Sequence, residues 1–270
     1  MGVSPYQRIV EEITGPILEH IDELPPELFF FLEQKEKRGI FMHHGMSDKG
    51  YHKTDRLQTI KHLLYPGPLW KEVLINRGIP AERIHIVGCP RLDPAFQGKI
   101  KYTPSDKKRV AWLPTHNAIP EISSYPAFGR CLEWLPAEYE ITGGLHPARR
   151  DNPAQTSMET LFNADVVLSD TSSMILEALS LGKPVILLDW LVKDGVLSLL
   201  HGTIEEMVYR EGICYHAASL ETLPAVIEQA LVHGIDDKTQ NFIDGIFPPE
   251  LRGKSGKATA DALREIRGTN

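Results

Sequence analysis

The residues with the clearest chemical potential lie in the segment ADVVLSDTSSMILEALSLGKPVILLD, 164–189, where an apolar run ends in Asp170, Thr171, Ser172 and Ser173 before a helical pattern begins. A strand that feeds a helix through such a turn directs free backbone N–H groups and several hydroxyls at one spot, which favours a phosphate. The same residue types also serve a simpler need, because Asp, Thr or Ser at that position caps a helix. Two adjacent hydroxyls beyond the cap favour the diphosphate reading. Glu177 follows within the helix, where a carboxylate can accept from ribose hydroxyls of a bound nucleotide or can simply be solvated.

Two histidines supply complementary chemistry. His146 follows Gly143-Gly144-Leu145 and precedes Pro147, a loop with local backbone freedom. An imidazole there can donate to a diphosphate oxygen as charge builds on a leaving group. Arg149 and Arg150 come next, either assisting or standing as solvated surface charges. His44 ends the apolar run 39–42 and opens HHGMSDKGY, with Gly45 permitting close approach and Lys49 adding positive charge. A neutral His44 is thus a candidate general base toward an acceptor hydroxyl, with a structural histidine as the alternative among 11 in the chain.

Such groups need elements to hold them. Residues 109–113, 139–142, 165–169 and 184–188 read as buried strands, and 174–181 reads as a short helix closed by Gly182. This alternation predicts a doubly wound α/β sheet, whose ligands bind beyond the carboxyl ends of the strands. Those ends carry Thr115 and His116, His146, Ser172 with Ser173, and Asp189, which form one candidate rim. Before a polar passage at 98–108, the pattern predicts a strand at 39–42, a helix over 66–78 and a strand at 83–88. Residues 5–38 read as helical segments broken at Gly15-Pro16 and Pro25-Pro26, with Leu28, Phe29, Phe31 and Leu32 as an apolar stripe. The Phe29-Phe30-Phe31 cluster suits a helix packed between layers or, alternatively, a patch for a membrane surface or partner.

Composition narrows the class. The chain has 270 residues, 42% hydrophobic and 24% charged, enough for one large or two modest domains, and no stretch approaches a membrane span. A net charge of −7 without a long basic run disfavours nucleic-acid binding. Cys89, Cys131 and Cys214 are widely spaced, which fits neither a disulfide framework nor a zinc site. The first residues carry acids within their apolar pattern rather than a basic segment before an apolar one, so a cytoplasmic location is expected. No DxD or clustered His/Asp metal signature is present; Mg²⁺ carried by donor phosphates would leave little trace in the sequence.

Taken in order, MHHGMSDKGY, GCPRLD, WLPTHN, GLHPARRD, SDTSSMILEALSLGKPVILLD and DGIFPPELRGKSGKA resemble the CDP-glycerol glycerophosphotransferase family of teichoic-acid enzymes, over residues 40–260. The resemblance implies a GT-B-like α/β fold: two Rossmann-like domains with a cleft between them, the N-terminal one short. It also implies transfer of glycerol phosphate, or a related polyol phosphate, from a CDP-linked donor to a polyol-phosphate or glycan acceptor that could be membrane-linked. The protein would then be cytoplasmic or peripheral at the inner membrane face. By the same resemblance His44 matches the catalytic base and Lys49 the lysine after it, while Arg91 and Asp93 belong to a Gly-x-Pro-Arg-x-Asp turn. Thr115 matches the donor-site loop, His146 the diphosphate contact, and Asp170, Ser172 and Ser173 the phosphate turn.

Domain limits on this reading are 1–105 for the acceptor side, 106–235 for the nucleotide-donor side and 236–270 for a helical segment. Residues 1–105 are fewer than a complete Rossmann-like half has, so that side is trimmed or begins inside a longer protein. The chain departs from the family at Met46-Ser47, His116-Asn117 and Glu177. The helix-and-strand segment also resembles the nucleotide-sugar site of general GT-B glycosyltransferases and UDP-N-acetylglucosamine 2-epimerases. A sugar nucleotide is therefore an alternative donor, and a non-catalytic nucleotide-binding member is an alternative role.

Overall fold

The computed structural model describes residues 5–32, 34, 37–49, 55–116, 118–145 and 157–268. The chain divides into two compact units, one of residues 1–46, 53–100 and 243–270, the other of 47–52 and 101–242.

The first unit opens with α1 (Pro5–Leu18), followed by β1 (Leu28–Phe29), β2 (Ile40–Met42), β3 (His62–Tyr65), α2 (Pro68–Asn76), β4 (Ile84–Ile86) and α3 (Asp93–Phe96). Among the described residues its strands form one parallel sheet in the order β1-β2-β3-β4. Every residue of β2 is buried, the pattern of a parallel strand covered on both faces. Two expectations for this region are corrected. Helix α1 runs through Gly15-Pro16 without a break, because Ile13 and Ile17 are buried in the core and outweigh the lost backbone hydrogen bond. Leu28-Phe29 is a strand rather than part of a helix, and Phe29 and Phe30 are buried core rather than a surface patch.

The second unit contains β5 (Lys108–Trp112), β6 (Tyr139–Gly143), α4 (Ser157–Asn163), β7 (Val166–Ser169), α5 (Met174–Ser180) and β8 (Val185–Leu188). It continues through α6 (Asp189–Leu199), α7 (Ile204–Arg210), β9 (Tyr215–Ala217) and α8 (Leu223–His233). Its parallel sheet has the order β6-β5-β7-β8-β9. The chain steps outward from β5 to β6, then returns to the other side of β5 as β7. That reversal is a topological switch point, and in open α/β sheets the crevice beyond the carboxyl ends of the two flanking strands receives ligands. All residues of β7 and β8 are buried, and Val110, Trp112, Phe128, Ile186, Leu188 and Ile227 build the surrounding core.

Two further helices, α9 (Asp237–Ile246) and α10 (Ser255–Gly268), end the chain. Helix α10 packs on α1, so residues 243–270 fall within the first unit and do not stand apart as a helical segment. The approach is close: a Cβ on Gly256 would lie 2.2 Å from the Pro16 carbonyl oxygen. No helix among the described residues is long and apolar enough to cross a membrane.

Candidate functional site

Beyond the carboxyl ends of β5 and β7, one carboxylate organises the backbone. Asp170 is fully buried. Its Oδ1 accepts the N–H groups of Thr115 at 2.8 Å and Thr171 at 2.5 Å. Its Oδ2 accepts the N–H and the hydroxyl of Ser124, each at 2.7 Å. Ser124 Oγ in turn accepts the indole N–H of Trp112 at 3.0 Å, and the Tyr209 hydroxyl donates to the Asp170 carbonyl at 2.8 Å. Charge-assisted bonds of this kind are short and strong, and together they fix the loop after β5 against the turn after β7.

This geometry revises the direct phosphate contact expected of Asp170 and Thr171. The Asp170 carboxylate is engaged by four internal donors, and the Thr171 hydroxyl donates to the Ile122 carbonyl at 2.9 Å. Both residues build the turn. Ser172 Oγ accepts the Met174 N–H at 3.4 Å, which leaves its own proton to be donated, and Ser173, at the N-cap of α5, makes no side-chain cap hydrogen bond. Glu177 is fully buried on α5, so it is not a solvated helix carboxylate.

Lys49 brings positive charge to the same turn. Segment 47–52 belongs to the second unit, and the Lys49 ammonium donates to the Thr171 carbonyl. Burial holds its amine below the usual lysine range, against the opposing pull of Glu205 and Asp170. His116 was expected only on the rim, and the structure places it within electrostatic reach of Lys49 and Asp170. Its Nδ1 accepts the Ala118 N–H at 3.2 Å, so in the neutral ring Nε2 carries the proton. Burial, then the Lys49 charge, keep that imidazole below its ordinary pKa. Asp189 also departs from expectation. It binds His216 Nδ1 and Lys193 Nζ, each at 2.8 Å, and these bonds outweigh burial and lower its pKa.

The fold is shared with TagF. The wall teichoic acid polymerase TagF superposes with a TM-score of 0.57 at 16% identity, over 85% of this chain and 69% of that one. A histidine-to-asparagine variant of TagF soaked with CDPG gives 0.55 at 16% identity, over 79% of this chain, which spans 59% of that one. The UDP complex of S. aureus MnaA gives 0.50 at 11% identity over 99% of this chain and 81% of that one. No protein-family model matches the chain, and no curated protein matches it in sequence. These likenesses bear out the expected GT-B-type class with two Rossmann-like domains, and at such identities they concern the fold.

The remaining expected residues occupy the first unit or lie outside the described residues. His44 Nδ1 donates to the Phe30 carbonyl at 3.0 Å, so in the neutral ring Nε2 is the unprotonated nitrogen. The Phe31 ring lies 4.7 Å away, centroid to centroid. Beside it, Gly45 N–H donates to His43 Nδ1 at 3.2 Å. Arg91 and Asp93 are structural. Arg91 pairs with Glu12 of α1 at 2.6 Å, while buried Asp93 accepts the Ser255 and Gly256 N–H groups at 3.1 and 2.7 Å and caps α10. The GCPRLD turn thereby ties β4 to the two helices, and Gly88 takes φ +79 against Ser255. His146 and Arg149 lie outside the described residues.

Proposed function

We propose that the chain is a GT-B-type transferase that moves glycerol phosphate, or a related polyol phosphate, from a CDP-linked donor to an acceptor hydroxyl. The observation that carries this reading is the switch point between β5 and β7. There Asp170 locks two loops together, the Ser172 and Ser173 hydroxyls remain to donate, and the Lys49 ammonium brings positive charge to the turn. A rigid set of donors beside a cation suits a diphosphate, because the groups need no rearrangement as charge develops.

On this reading His44 takes the proton of the acceptor hydroxyl at Nε2. The freed oxygen attacks the phosphorus that bears the polyol, the bridging P–O bond breaks, and CMP departs with its new charge held at the turn. Glu177 is assigned to the ribose hydroxyls and Arg149 to the diphosphate from their places in the sequence, and His146 to the diphosphate by the sequence resemblance. The acceptor is assigned as a polyol-phosphate or glycan hydroxyl, and a membrane-linked acceptor would place the enzyme at the membrane surface. A sugar nucleotide is the second reading, favoured by the fold shared with the UDP-bound MnaA.

Thermal melting with CDP-glycerol, CDP-ribitol and UDP-sugars separates the two, since a ligand of the native state raises its melting temperature. The largest rise is expected with a CDP-alcohol; a rise confined to UDP-sugars contradicts the first reading. The His44→Ala variant should lose transfer while keeping donor affinity within about threefold. Full activity in that variant would remove His44 as the base.

A further inference from the structure

We propose that Glu205 is a positioning residue of this site, holding segment 47–49 so that the Lys49 ammonium is delivered to the turn at 170–173. The inference rests on the donor-site reading above and concerns a residue that reading did not use.

Glu205 lies in the first turn of α7, where a carboxylate ordinarily caps the helix or meets its dipole. Here its neighbours do that work. Thr203 Oγ1 accepts the Glu206 N–H at 3.1 Å, and Glu206 Oε2 reaches back to the Gly202 N–H at 2.8 Å, an arrangement close to a capping box. The Ile204 N–H goes to Asp48 Oδ2 at 3.3 Å.

Glu205 is directed elsewhere. Its Oε1 accepts the Ser47 hydroxyl at 2.6 Å and the N–H groups of Asp48 at 2.9 Å and Lys49 at 3.3 Å. Its Oε2 is buried and makes no hydrogen bond among the described residues. Among the described residues, the hydrogen bonds of this buried carboxylate to other residues therefore go to one three-residue segment that is distant in sequence. Burial and the Asp48 charge raise its pKa. The other end of that segment's hydrogen bonding is the Lys49 ammonium on the Thr171 carbonyl. An ammonium has three protons to donate, so two remain for anionic oxygens at the turn.

The test measures Lys49 with and without ligand. Reductive methylation of the full chain, followed by peptide mass spectrometry, should find Lys49 modified at least about tenfold more slowly than the exposed Lys257, because burial and a fixed hydrogen bond withhold its amine. Glu205→Ala should abolish that protection, and Glu205→Gln, which keeps an acceptor at Oε1, should preserve it. In calorimetric titration with CDP and with inorganic pyrophosphate, Lys49→Met and Glu205→Ala should each weaken binding roughly tenfold to a hundredfold. The double variant should lose no more than either alone. If Glu205→Ala folds and leaves Lys49 protected, the proposal is overturned. It is equally overturned if Glu205→Gln binds as poorly as Lys49→Met while Lys49 stays protected, since Glu205 would then act through charge. Should neither ligand bind the unaltered chain, the donor-site reading fails, and the methylation result still decides what Glu205 does.

Discussion

Asp170 looks like a ligand contact in the sequence, and in the structure its carboxylate instead holds two loops together. A carboxylate accepting four protein donors in a buried setting leaves none of its lone-pair directions to a ligand, and its negative charge is distributed over backbone amides. Replacing it by Asn turns one oxygen into an NH₂ facing donors. Asp170→Asn is therefore expected to cost about 3 kcal/mol of stability, read from urea unfolding. A loss below about 0.5 kcal/mol would mean that the network contributes little. Sequence alone ranked Asp170 with Ser172 and Ser173 because all three side chains occur in helix-capping turns of the kind that hold phosphate. What separates them is the position of Ser124, which no local pattern reveals. The same holds for Glu205, whose partners lie at 47–49 and could not be found from the spacing around it.

At the level of elements, burial decided the cases that sequence signals left ambiguous. Gly15-Pro16 is a strong helix-breaking signal, yet α1 continues because it is clamped against α10. The clamp makes Gly256 sensitive: in Gly256→Ala the new Cβ would meet the Pro16 carbonyl oxygen at 2.2 Å, a backbone atom that cannot swing aside as a side-chain end can. A loss of roughly 1–3 kcal/mol is expected in chemical unfolding, and an unchanged midpoint would contradict the packing described. Strands β3 and β4 carry a second testable feature, the contact of His62 Nδ1 with His85 Nε2 at 3.1 Å. Burial, reinforced for His62 by Lys61 and Arg83, holds its pKa below 6.5. Burial, with His62 and Lys71 opposing Glu265, does the same for His85. The unfolded chain then binds more protons than the folded one in the window below 6.5, so stability is retained above that pH and falls as pH drops through it. Unfolding in urea at a series of pH values should show this decline, and His62→Asn should flatten it; an unchanged slope would contradict the assignment.

At the level of the whole molecule, the order of strands carries more functional information than any single motif. Alternating apolar runs and helical patterns made the parallel α/β class and four strands of the second unit legible, β7 and β8 as compact apolar runs, β5 as an apolar run after Lys108-Arg109, and β6 as a shorter, mixed one. Strand β9 escaped because Tyr215, His216 and Ala217 are few and only partly apolar, and β3 escaped for a similar reason at His62. The return of the chain from β6 to β7 across β5 was also beyond the sequence, and in open α/β sheets such a reversal is where ligands bind. On the proposed function, the crevice at this switch point holds a nucleotide diphosphate. A crystal structure with CDP-glycerol tests it most directly. Pyrophosphate oxygens are expected within about 3.2 Å of the Ser172 and Ser173 hydroxyls and of the Lys49 ammonium; a nucleotide bound away from residues 170–173, with Lys49 still on the Thr171 carbonyl, would rule this out.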